Sequence, residues 1–242
     1  MVMSVVACFK VVPDDTSIRV VGGKIDTNVQ LKVSTYDKNA IEEAVRVKEK
    51  TGWKAIGITV GNTDRKSIRD ALSMGLDEVI AVNSGYLDVP ATAEAIAEAI
   101  KNRSPNLVIT AETTTDSSTS ALPLYLAQQL GFNAISYVRS ISINGDKITA
   151  ERSVGDVEIV EAPLPVVISV TGEINTPRTP SVKQIMESAK KPVTQVNTSA
   201  RPLSEIIELT PYSVSRKRIV IEKPMEQAID QLINYLKGDG VL

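Results

Sequence analysis

Over the first two-thirds of the chain, short runs of consecutive apolar residues alternate with segments whose apolar residues recur every three or four positions. Runs of the first kind suit strands buried on both faces, and the second pattern suits helices that bury one stripe. Residues 5–9 predict a first strand. Residues 18–21 and 24–25, joined by Gly22 and Gly23, predict a small hairpin. Ala40, Ile41, Ala44, Val45 and Lys48 fall on successive turns of a helix that Ser34, Thr35 or Asp37 would cap and Gly52 would stop. Residues 55–60 predict a strand ending at Gly61, followed by a helix over about 64–74 that Gly75 closes, and a strand at 78–82. Pro90 starts a further helix with Ala93, Ile96, Ala97 and Ile100 inward, and Ser104-Pro105 ends it. A strand at 107–110 and a polar stretch at 112–120 lead into a helix over 122–130, stopped by Gly131.

Strands alternating with helices in this order imply an α/β fold: a parallel sheet with helices on both faces. The pattern then changes. Residues 141–143 and 147–149 around Asn144-Gly145 predict a β hairpin, because Asn-Gly suits the positive φ angles of a tight turn. Residues 157–160 and 166–170 supply two more strands. From Thr171 the chain is rich in proline and irregular apart from a helix over 182–189. A terminal helix over 224–237 places Ala228, Leu232, Ile233 and Leu236 on one stripe. These features divide the chain into an α/β nucleotide-binding domain at 1–190 and a C-terminal docking arm at 191–242 that packs on a partner subunit.

Composition removes whole classes of chemistry. The 242 residues contain no histidine, which excludes Ser-His-Asp and Cys-His catalysis and His-ligated metals. A single cysteine, Cys8, excludes an internal disulfide and a four-cysteine metal site, and is compatible with a reducing, cytoplasmic location. Lys and Arg number 27 against 29 Asp and Glu, a balance that argues against nucleic acid as a partner. No stretch approaches the ~20 apolar residues of a membrane span, and the N-terminus shows no basic leader.

In an open parallel sheet, ligands sit beyond the carboxyl ends of the strands. Two such segments are candidates: the one leaving the first strand at Lys10, and the hydroxyl-rich stretch Thr113 to Ser120 before a helix. The second suits a phosphate, or an ordinary Ser/Thr cap on a solvated loop. Lys10 could neutralise a phosphate or pair with Asp14 or Asp15. Cys8 reads as a small core residue rather than a nucleophile. Asp37 reads as a helix cap or a ligand contact. Lys190-Lys191 and Arg216-Lys217-Arg218 read as solvated basic runs. Neither G-x-G-x-x-G nor a Walker A pattern occurs, and no pair of carboxylates stands out as an acid/base couple.

Several segments together resemble the β subunit of electron transfer flavoproteins. Residues 7–14 (Ala-Cys-Phe-Lys-Val-Val-Pro-Asp) resemble the family's Val-Lys-x-Val-Pro-Asp start. Residues 36–50 are similar to its Glu-Glu-Ala-rich first helix, and 69–77 (Arg-Asp-Ala-Leu-Ser-Met-Gly-Leu-Asp) to its Ala-Leu-Ala-Met-Gly-Ala-Asp turn. Leu164-Pro165-Val166-Val167 and Asn175-Thr176-Pro177-Arg178, followed by Ile185-Met186, resemble its Leu-Pro-Ala-Val and Asn-Glu-Pro-Arg-Tyr…Ile-Met stretch.

The resemblance implies a Rossmann-like, adenine-nucleotide α-hydrolase-like fold in a heterodimer. Its α subunit would hold the electron-carrying FAD, and this chain would hold AMP or a second FAD. It would be an electron carrier rather than a catalyst, with no catalytic or metal-binding residue of its own. Its partners would be the α subunit, flavin dehydrogenases, and a quinone reductase or other acceptor. The implied cofactor-binding residues are Ala7, Cys8, Lys10, Tyr36, Asp37, Thr59, Gly61, Ala111, Asp116, Ser117, Ser118, Thr119 and Ser120. Partner contacts would come from Ile174, Asn175, Pro177 and Arg178, a recognition loop expected to be an exposed excursion, and from Leu232 and Leu236. The family's Gly-Lys-Gln-Ala-Ile-Asp-x-Asp loop reads Ala-Glu-Thr-Thr-Thr-Asp-Ser-Ser here at 111–118, and its Asn-Pro before the first helix is Ser34-Thr35. Two other readings compete: a bifurcating, NADH-oxidising flavoprotein subunit, and a stand-alone AMP- or ATP-binding regulatory protein.

Overall fold

A computed structural model describes residues 3–212 and 216–242; Met1 and Val2, the start of the segment read for a leader, lie outside them. The chain divides into two units, Met1–Leu209 and Thr210–Leu242.

The first unit is built on β1 (Ser4–Cys8), every residue of which is buried. Near it lie two short antiparallel pairs: β2 (Val11–Pro13) with β5 (Leu31–Val33), and β3 (Arg19–Val21) with β4 (Lys24–Asp26). The helix α1 (Asp37–Thr51) follows, then β6 (Lys54–Gly61), α2 (Arg65–Ser73), β7 (Glu78–Asn83), α3 (Val89–Ile100), β8 (Leu107–Ala111) and α4 (Leu122–Leu130). The remaining elements are β9 (Asn133–Asn144), β10 (Lys147–Val154), β11 (Asp156–Pro163), β12 (Val166–Val170), α5 (Val182–Ser188) and β13 (Val193–Asn197).

One nine-stranded sheet has the order β11-β10-β9-β12-β8-β1-β6-β7-β13. From β9 to β13 each neighbouring pair is parallel, and only the β9-β10-β11 end is antiparallel. The expected parallel sheet with helices on both faces is therefore present. Alternate residues of the central strands feed two cores. Val5, Ala7 and Leu107 join residues of α1 and α2 on one face, while Val6, Cys8 and Val108 join α3 and α4 on the other. Where α2 leads into β7 the layers come close: a Cβ on Gly57 would meet Leu76 Cδ1 at 2.7 Å, so glycine sets that spacing.

The order also fixes where a crevice must open. After β1 the chain runs outward through β6 and β7, then returns to place β8 and β12 on the other side of β1. Helices leave the two halves in opposite directions at that point, so a gap forms beyond the carboxyl ends of β1 and β8.

Several local expectations resolve differently. None of Ser34, Thr35 and Asp37 caps α1; Tyr36 holds that position without a side-chain bond. Ser34 instead accepts a hydrogen bond from the Thr115 N–H at 3.3 Å, and Asp37 one from the Lys10 N–H at 2.7 Å. In the hairpin, Asn144 pairs with Lys147, so Gly145 and Asp146 form the turn, with Gly145 at φ 64°. Val193–Asn197, within the stretch expected as an arm, pairs with β7 as an edge strand; its neighbour β7 otherwise lacks a partner on that side.

The second unit carries α6 (Met225–Gly238). The basic run expected to be solvated contributes Lys217, whose ammonium pairs with Asp239 at 2.5 Å.

Candidate functional site

The crevice at the reversal of strand order is a cavity of about 1060 Å³. Its floor is the end of β1, where Cys8 and Phe9 are buried, and its walls are the ends of β6, β7 and β8 with the loops that follow them. Gly61 ends β6 at φ 97°, a conformation that spares an L side chain strain.

Lys10 organises one wall. Its ammonium pairs with Asp116 at 2.5 Å, and its backbone N–H donates to Asp37. Asp14 and Asp15, the alternative partners in sequence, pair with Lys32 instead. Thr114 Oγ1 donates to Asp116 at 2.7 Å and lies 3.1 Å from Ser117 Oγ, which folds the hydroxyl-rich loop on itself. Burial acts to raise the Asp116 carboxyl, but the bonds from Lys10 and Thr114 outweigh it and hold the group below its usual range. Nearly complete burial, with the charge of Asp116 adding to it, outweighs the Lys10 backbone bond and ammonium at Asp37 and pushes its carboxyl up to about 8. Burial, with Asp37 adding to it, also pushes the Cys8 thiol well up, so Cys8 is no thiolate nucleophile.

The expected cap on α4 is absent too. Ala121 takes that position, while Ser118 and Ser120 adopt φ of 49° and 53°. Ser118 Oγ donates to Thr114 O rather than to the helix.

Of the residues singled out from sequence, Cys8, Lys10, Asp37, Gly61, Ala111, Asp116, Ser117, Thr119 and Ser120 converge on the cavity. Ala7 lies in the core on the opposite side of β1, Thr59 is buried away from the cavity, and Tyr36 and Ser118 do not line it. The sequence reading missed the loop after β7. Ser84, Tyr86 and Asp88 line the cavity there, and the strand-end rule would have pointed to them. Asp88 caps α3 through the Ala91 N–H and also accepts from Leu203 N, Ser204 N and Ser204 Oγ, drawing Ser204 to the cavity rim.

The walls fit a polar ligand with a flat apolar part. Ser84 Oγ and Thr113 Oγ1 both line the cavity, are buried, and lack a hydrogen-bond partner; buried hydroxyls of this kind call for a ligand or water. Phe9, Val60 and Leu122 supply the apolar surface. Lys10 is the cation among the lining residues, and its ammonium is engaged by Asp116.

The segment expected as an exposed recognition loop is instead tied to α1. Asn39 Nδ2 donates to Asn175 O at 2.9 Å, and Asn175 Nδ2 returns bonds to Asn39 O and Glu43, both at 3.0 Å. The Arg178 guanidinium bridges Glu42 at 2.8 Å and Glu49 at 2.6 Å. Ile174 packs half-buried against the core, and Pro177 is half-buried. Leu232 and Leu236 lie on α6 in the second unit, none of whose helical residues is buried.

An electron transfer flavoprotein domain model matches residues 22–201. The chain is 34% identical over 205 residues to the electron transfer flavoprotein subunit beta of Thermoanaerobacterium thermosaccharolyticum, covering 81% of this chain and 79% of that protein. It is 33% identical over 243 residues to the subunit of the same name from Syntrophomonas wolfei, covering 98% and 96%.

Proposed function

The chain belongs to the electron transfer flavoprotein family, and from that premise we propose that it is the β subunit of a heterodimer, holding an adenine nucleotide in the cavity beyond β1 and β8. The observation that carries the nucleotide assignment is the convergence of Lys10, two unpartnered buried hydroxyls and an apolar wall on the strand-order reversal. Lys10 and the hydroxyls of Ser117, Thr119 and Ser120 would hold phosphate, and Ser84 and Thr113 would take polar atoms of the base or ribose. Asp116 shapes the loop through Thr114 rather than touching phosphate, since two anions would repel.

The redox chemistry belongs to FAD, which takes up and gives back electrons when bound by the α subunit. This chain's part is to bind, position and dock, which needs no acid/base couple. Ile174, Asn175, Pro177 and Arg178 would meet the dehydrogenases and the acceptor that exchange electrons with the complex. Leu232 and Leu236 would face the α subunit, as part of the arm.

The cavity's volume favours a second reading as well. At about 1060 Å³ it stands at the top of the range of roughly 300–1,000 Å³ usual for small-molecule sites, large enough for a dinucleotide. In that case the chain holds its own FAD in a bifurcating, NADH-oxidising complex. Co-expression with an α subunit, followed by denaturation and chromatography, decides: one FAD and one AMP per heterodimer supports the carrier, two FAD the bifurcating complex, and no nucleotide beyond one FAD overturns both.

A further inference from the structure

A second cleft, of about 440 Å³, lies along α2 where it faces β13 and the residues after α5. Arg65 and Arg69 stand one turn apart on the lining face of α2, and Lys191 also lines the cleft. No carboxylate is among its lining residues, and among the described residues neither guanidinium is in an ion pair. Lys191 spends its ammonium on Leu72 O at 2.9 Å and Leu76 O at 2.6 Å, which fixes its charge in place. Three cations gathered in one concave site repel one another unless an anion joins them. The clustering runs against the composition of a chain whose net charge is −2.

The β13 side has the opposite character. Val193 lines the cleft there and is 42% exposed, while Ile68 and Leu72 on α2 are sealed in the core. A concave site with cations on one side and an exposed apolar side chain on the other matches a ligand with an anionic head and a small apolar body. Planar guanidinium forks match the paired oxygens of carboxylates and phosphates alike, and the three terminal oxygens of a phosphate monoester can serve two forks at once. We propose that this cleft is a binding site for a small phosphate monoester, separate from the nucleotide cavity, with Arg65 and Arg69 holding the phosphate and Val193 meeting the apolar body. Thr63 lines both the cleft and the larger cavity, so the two sites share a wall through the loop after β6.

Calorimetry on the full-length chain tests this with phenyl phosphate and inorganic phosphate as probes. Phenyl phosphate should bind with one-to-one stoichiometry and more tightly than inorganic phosphate, because only the ester reaches Val193. The double variant Arg65→Gln/Arg69→Gln should weaken it about tenfold or more, two charge-assisted forks being removed. Lys66→Gln, which changes a neighbouring cation outside the cleft, should leave binding as it was. Both arginines are exposed, so the variants keep the core intact. Undiminished binding in the double variant, an equal loss in Lys66→Gln, or equal affinity for the two probes would each overturn the assignment.

Discussion

Asp37, which reads from sequence as a helix cap or a ligand contact, does not cap α1 but lines the cavity and accepts from the Lys10 N–H. Its carboxyl is buried and raised to about 8, against an unfolded value of ~3.9. Between those values the folded chain binds one proton more than the unfolded chain, so stability falls as pH rises through that window. Asp37→Asn keeps an acceptor for the Lys10 N–H and carries no charge. Its melting temperature should exceed the parent's by a margin that widens from pH 5 to pH 9; a constant offset would contradict the burial argument. The hydroxyl-rich loop gives a second test at this scale. Ser117 lines the cavity whereas Ser118 turns its hydroxyl to Thr114 O, so a charge should be introduced at Ser117. Like charges about 4 Å apart repel by ~4 kcal/mol at an effective dielectric of 20, so Ser117→Glu should weaken nucleotide binding ~100-fold or more. Full nucleotide content in the purified variant would place the phosphate elsewhere. The resemblance named both residues as nucleotide contacts, whereas residue pattern alone left each open, because capping and cavity-lining use the same side chains and only the loop's path distinguishes them.

At the scale of elements, most of the sheet was readable from the chain. The runs at 55–60, with its stop at Gly61, and at 107–110 carry enough apolar length to be strands wherever they pack, and α3 buries the four positions its spacing assigned. What local pattern could not give was long-range pairing. The edge strand β13 has mostly exposed residues and depends on β7 for its hydrogen bonds. The loop from Ile174 to Arg178 looked like an excursion because of its prolines, yet Glu42, Glu43 and Glu49 on α1 hold it from more than 120 residues away in sequence. Burial acts to raise Glu42, but Arg178 and Arg46 outweigh it and hold its carboxyl low; the same guanidinium lowers Glu49. A lowered folded value means stabilisation that is present above the unfolded value of ~4.3 and lost as pH falls through the folded one. Arg178→Ala leaves the buried Glu42 with Arg46 alone, and breaking a buried pair costs ~3–5 kcal/mol. With one partner retained, urea denaturation should show a loss near the lower figure, together with a shallower acid limb in the stability profile. A loss under ~1 kcal/mol would mean that the pair behaves as a solvated surface bridge.

The whole molecule presents apolar surface that its own fold leaves uncovered. Leu203 is 84% exposed, Ile207 91% and Tyr212 91%, and α6 carries an amphipathic stripe with no buried residue in this chain. Ala228, Ile233 and Leu236 are half-buried and Leu232 is exposed, and a helix whose apolar face is only partly covered gains only part of its stability, since most helical stability in proteins comes from packing that face. In the proposed heterodimer the α subunit would supply the missing half. Fully burying a leucine contributes ~1.5–3 kcal/mol, and putting a carboxylate in its place adds the cost of desolvating a charge. Leu232 and Leu236 lie one turn apart on the stripe, so changing both to Asp removes that gain twice and sets two negative charges in the interface. The double variant should elute from size exclusion apart from a co-expressed α subunit, while the first unit keeps its sheet, since the strand order there is complete without α6. A circular dichroism spectrum close to the parent's would show that dissociation came from the interface rather than from unfolding. Co-elution at parental stoichiometry would mean that α6 does not form the contact, leaving the exposed side chains before it as the surface to test.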